Sequence, residues 1–70
     1  MRGLFTKILK GIYMWAKDAN NKTVMEAIKA QNNNQHGKAA ALFQEAGNQY
    51  RNPQEKKMLW DAAEKSRKLR

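Results

Sequence analysis

The chain has 70 residues, no cysteine, 41% hydrophobic and 29% charged residues, and a formal charge of +8 from 14 Lys and Arg against 6 Asp and Glu. That length allows one domain at most, burying only about 60% of its unfolded surface, and the composition excludes disulfide staples, cysteine-based zinc sites and intrinsic disorder. The charge directs the chain toward anionic partners: nucleic acid, acidic membrane or an acidic protein face. No stretch approaches the ~18 apolar residues of a membrane span. Lys7, Lys10 and Lys17 interrupt the N-terminal apolar run, so it lacks the uncharged core of a secretory signal. With the absence of cysteine, this leads to an expected cytoplasmic location.

The first predicted element is a helix from about Gly3 to Ala19. At helical period Leu4, Phe5, Ile8, Leu9, Ile12, Trp15 and Ala16 share one arc, with Arg2, Thr6, Lys7, Lys10 and Lys17 opposite. The run DANN, residues 18 to 21, ends it, since Asn favours turns and left-handed caps. A short helix over about 24–31 follows. Thr23 is the expected N-cap, Glu26 completes a capping box, and Val24, Ala27 and Ile28 form an apolar stripe. QNNNQHG, residues 31–37, is polar and aperiodic and reads as a loop.

The third element, residues 38–50, repeats Ala39, Leu42, Phe43, Ala46 and Tyr50 at helical spacing. The fourth opens on NPQE. Asn52 is a cap, Pro53 occupies the first helical position and Glu55 closes a second capping box. Leu59, Ala62, Ala63, Ser66 and Leu69 form its apolar face, and Lys65, Arg67, Lys68 and Arg70 crowd its C-terminal end, where they complement the helix dipole. No segment alternates as a strand does. The expected fold is all-α: a bundle of three to four helices, with an antiparallel helical hairpin over about 38–69 packed against the first helix.

The third and fourth elements resemble one hairpin of the tetratricopeptide-repeat family. FQEAGNQY places Phe43, Ala46, Gly47 and Tyr50 at the spacing of that family's W-x2-L-G-x2-Y pattern, and WDAA places Trp60 and Ala63 as in its second helix. Small residues let the two helices approach while aromatics fill the surrounding space. The chain departs from the family at Arg67, where a bulky apolar residue is usual, in lacking the closing Pro, and in carrying one such unit where arrays need about three. The resemblance covers about half the chain and implies protein or peptide binding rather than catalysis.

Catalytic groups are sparse. His36 is the single histidine, in a polar stretch without a positioned partner. Glu26 and Glu55 have capping roles, and Asp61 and Glu64 sit one turn apart beside Lys57 and Lys65, as surface ion pairs do. No phosphate loop, zinc spacing or nucleophile elbow is present, so neither an enzyme nor a cofactor is expected. Of the six aromatics, Trp15 and Trp60 are expected at the centre of the core, and Tyr13, at the edge of the apolar arc, as an exposed contact.

The candidate binding residues are two basic groups. Arg2, Lys7, Lys10 and Lys17 lie on the first helix; Lys65, Arg67, Lys68 and Arg70 lie at the end of the fourth. Three functions fit them. The first is a small basic adaptor or inhibitor that docks on an acidic protein partner through a helical surface. The second is a nucleic-acid binder with phosphate-directed, salt-sensitive contacts. The third is a membrane-surface protein that uses the amphipathic first helix. That helix also carries the largest apolar face, which the Ala-rich others need to close a core, so it is read as a core wall. A homodimer would be a further way for so small a chain to complete its core.

Overall fold

Four α-helices follow one another: α1 (Arg2–Asp18), α2 (Lys22–Asn32), α3 (His36–Asn48) and α4 (Pro53–Lys68). The computed structural model describes the backbone of residues 2–69 and the side chains of residues 7–69. No strand occurs among the described residues. The fold is therefore a small all-helical bundle.

Asparagines build both early turns. Asn20 and Asn34 have φ of 56° and 63°, in the left-handed region that Asn tolerates better than most residues. Each sits just past a helix in a Schellman motif. Asn20 and Asn21 donate their backbone N–H groups to the carbonyls of Lys17 and Ala16, and Asn34 and Gln35 donate theirs to Gln31 and Ala30. Asn21 then serves the next helix as well, because its Oδ1 accepts from the Val24 N–H at 3.1 Å. The N-cap of α2 is thus Asn21 rather than Thr23, which lies inside the helix. The polar stretch 31–37 also differs from expectation. Gln31 and Asn32 finish α2, while His36 and Gly37 begin α3, leaving three residues to make the turn. The tight Schellman closure needs no longer connection. Asn52 caps α4 as expected, accepting from the N–H groups of Gln54 at 2.8 Å and Glu55 at 3.4 Å, with Pro53 behind it.

Packing follows chain order. The closest contacts join α3 to α4 and α2 to α3, and the main neighbour of α1 is α2. Ile8 carries α1 to the flank of α4, where it shares a shallow cleft with Met58 and Ala62. α1 thus reaches the C-terminal hairpin at its flank, while α2 is its principal partner. The short turns force this order, since each leaves too little chain to skip a neighbour.

The core is built from small residues around one large ring. Phe43 is fully buried, as are Val24 and Leu59, and Ala27, Ala39, Ala46, Ala62 and Ala63 close the helices on them. From α1, Leu9, Ile12 and Ala16 are buried, with Ile8 and Trp15 packed at the margin, so the described part of its apolar arc is a core wall. The radius of gyration, 10.7 Å, matches the ~11 Å of a well-packed chain of this length.

The aromatics are arranged differently from the two-tryptophan centre expected. Trp60 is 44% exposed. It lies on the outside of the α3/α4 contact, with its Cδ1–Nε1 edge close against Gly47 and the Lys56 ammonium 5.4 Å from its ring centroid. Trp15 instead pairs with Tyr50, centroids 5.2 Å apart. The Tyr50 hydroxyl accepts a hydrogen bond from Asn21 Nδ2. One corner thus joins α1, the α1–α2 turn and the α3–α4 turn. The central ring is Phe43, because the alanines that face it leave room for one large side chain.

Candidate functional site

The α1/α2 seam forms a concave and largely apolar surface. The two helices meet through Leu9 on α1 and Ile28 on α2, both nearly buried. Beside them lies a groove of about 780 Å³, walled by Tyr13, Met14 and Met25. Tyr13 is 42% and Met14 61% exposed, so the groove opens to solvent along its length. Its sequence origin is an apolar arc on α1 wider than α2 can cover. Leu9 and Ile12 face inward, while Tyr13 and Met14, one position further round, are left at the edge.

Charge surrounds this groove unevenly. Lys10 stands on the α1 side, and Lys22, Glu26 and Lys29 follow along α2. All four are exposed. Lys22 and Lys29 are two helical turns apart, about 10.5 Å along the axis, with Glu26 midway between them. The rim thus presents a positive–negative–positive series on one wall and a single positive charge on the other.

The residues singled out from the sequence are distributed more widely. Lys7, Lys10 and Lys17 are exposed on α1, and Lys65, Arg67 and Lys68 are exposed on α4. The Arg2 side chain and Arg70 lie outside the described residues. Lys10 lines the α1/α2 groove and Lys65 the smaller cleft between α1 and α4, of about 360 Å³. The two basic groups therefore do not share one concavity. Two members of the second group have local partners: Arg67 donates to Gln44 Oε1 across the α3/α4 contact, and Lys68 lies 3.7 Å from Glu64 one turn away. That exposed ion pair contributes little to stability. Tyr13, expected as an exposed contact, is exposed and lies in the groove wall.

Sequence reasoning missed Met14, Met25, Lys22 and Lys29. Their signal was present as two helical edges, the 10–13–14 edge of α1 and the 22–25–26–29 edge of α2. The relative rotation of the two helices, which no single-helix periodicity encodes, brings those edges together.

Elsewhere the described residues offer little chemistry. No three His, Asp or Glu side chains converge as a metal site would require. His36 lies at the first position of α3, with its Nδ1 buried and unpartnered, and no carboxylate is bonded to it. No helix among the described residues is long and apolar enough to cross a membrane. Comparison with protein-family models, with curated proteins and with solved structures finds no match for this chain.

Proposed function

We propose that this chain is a small, basic, non-enzymatic binding protein, an adaptor or inhibitor, that docks on an acidic protein partner through a helical surface. The observation that carries this reading is the open α1/α2 groove, in which exposed apolar side chains are bordered by lysines. Phosphate-directed binding needs the lysines alone, whereas a protein partner uses the apolar walls as well. The likeness of the α3/α4 segment to a peptide-binding repeat hairpin points the same way.

Nucleic-acid binding is the second reading. It is supported by the charge of +8 and by exposed Lys65, Arg67 and Lys68. The membrane reading has less support, because Leu9, Ile12 and Ala16 of α1 are turned into the core and are not free for an interface.

The test immobilises the chain, exposes it to extract from its source cells at low salt, and repeats the capture with nuclease and with Met14→Glu. The expected result is a discrete acidic protein that survives nuclease and is lost on Met14→Glu. Retention of nucleic acid alone, or of material equally held by both forms, would refute it.

A further inference from the structure

We infer that the α1/α2 groove takes an amphipathic α-helix from the partner, with acidic side chains two turns apart and a non-acidic residue between them. This rests on the acidic-partner reading above and specifies its ligand.

The walls decide the shape of the occupant. Both are helices, and the apolar side chains that line them sit at helical spacing: buried Leu9 and exposed Tyr13 four apart on α1, half-buried Met25 and buried Ile28 three apart on α2. Ridges of this period accept the side chains of a third helix laid between them. An extended segment docking by strand addition would need an open strand edge, and the described residues contain no strand. Met14 and Met25 add unbranched, polarisable side chains that adapt to the shape of an incoming anchor.

The rim decides the charge. Lys22 and Lys29 stand about 10.5 Å apart on one wall, the separation of positions i and i+7 on an occupying helix. Carboxylates at those positions meet both ammonium groups. A carboxylate midway would face Glu26 and is disfavoured, while Lys, Arg or a neutral residue there is accepted. The pattern separates this groove from a surface that simply collects anions. It also argues against a second copy as occupant, because two chains of +8 repel each other.

The experiment pans the full chain against a display library of helical peptides of about three to four turns. Their apolar face is fixed as Leu at helical spacing, and their flanking positions are randomised among Glu, Lys and Gln. The expected enrichment is Glu at i and i+7 with Lys or Gln between. Affinity of an enriched peptide, read by fluorescence anisotropy, should fall about tenfold or more in Lys22→Glu/Lys29→Glu and rise in Glu26→Lys. These three positions are exposed, so the variants keep the fold, which circular dichroism checks. Panned on its own, the double variant should enrich Lys at i and i+7.

Enriched acidic peptides that are indifferent to these substitutions but lost on Lys65→Glu/Arg67→Glu/Lys68→Glu would overturn the groove assignment and leave the acidic-partner reading standing. If no acidic peptide binds, while short duplex DNA or phosphatidylserine vesicles do, both fail. A concentration-dependent dimer in sedimentation that dissociates on Met14→Glu would assign the groove to a second copy instead.

Discussion

Gly47 offers a quantitative test of how α3 and α4 are held together. A Cβ placed there would lie 2.7 Å from both Cδ1 and Nε1 of Trp60, and 3.4 Å from Leu59 Cβ. The indole contacts fall about 1 Å inside the ~3.5–4.0 Å optimum for non-bonded heavy atoms. Two opposing effects follow from Gly47→Ala. The helix gains about 0.5–1 kcal/mol because alanine loses less backbone entropy than glycine. The overlap costs about 1–3 kcal/mol of overpacking unless the indole turns away, and turning lifts it from Lys56. The expected net effect is destabilisation of about 0.5–2 kcal/mol. In a Trp60→Ala background the obstruction is gone and the same substitution should stabilise by about 0.5–1 kcal/mol. Gly11, with nothing within 4 Å of its Cβ position, is the control, and Gly11→Ala should stabilise in either background. Urea unfolding followed by far-UV circular dichroism gives each value, and 1 kcal/mol corresponds to about 4–8 °C in thermal midpoint for a chain of this size. If Gly47→Ala stabilised both backgrounds as Gly11→Ala does, the close approach of Trp60 would not constrain the hairpin and the reasoning would be wrong.

Three further outcomes are expected. Asn21→Ala should lose about 1 kcal/mol for the cap and more for the Tyr50 bond, while Tyr50→Phe loses about 0.5–1.5 kcal/mol and Thr23→Ala changes stability by less than about 0.5 kcal/mol; a larger loss at Thr23 than at Asn21 would return the cap to Thr23. Phe43→Ala should cost about 3–5 kcal/mol, a large part of the stability of so small a domain, and abolish the cooperative thermal transition; a retained sharp transition would show that the core is not centred there. Asn34→Ala should cost about 1 kcal/mol because alanine resists the left-handed backbone, and Asn34→Gly should not; equal midpoints for the two would count against the Schellman turn.

The sequence carries the four helices legibly because each has its own period and punctuation. Pro53 after Asn52 marked the start of α4, and the Asn-rich runs marked both early turns. Where Thr23 and Asn21 compete to cap α2, local composition favours either one. The choice falls to Asn21 because its side chain also reaches Tyr50, a residue 29 positions away. Trp60 was misplaced for a similar reason. Its helical face borders the packed one, and only the closeness of Gly47 decides that the ring lies over the α3 backbone and not inside. The groove was legible in part. Tyr13 marked its edge, but Met14, Met25, Lys22 and Lys29 belong to two helices whose mutual rotation is set by packing.

The order of packing has a consequence for the speed of assembly. Every major interface joins helices adjacent along the chain, across turns of three, three and four residues. Closing such short loops costs little entropy, and topologies dominated by local contacts fold in microseconds to milliseconds. The hairpin of α3 and α4, with the most extensive contact, is the natural nucleus. The Asn21–Tyr50 corner, spanning both hairpin turns, would be the latch that closes last. Substitutions there should then speed unfolding and leave the folding rate almost untouched.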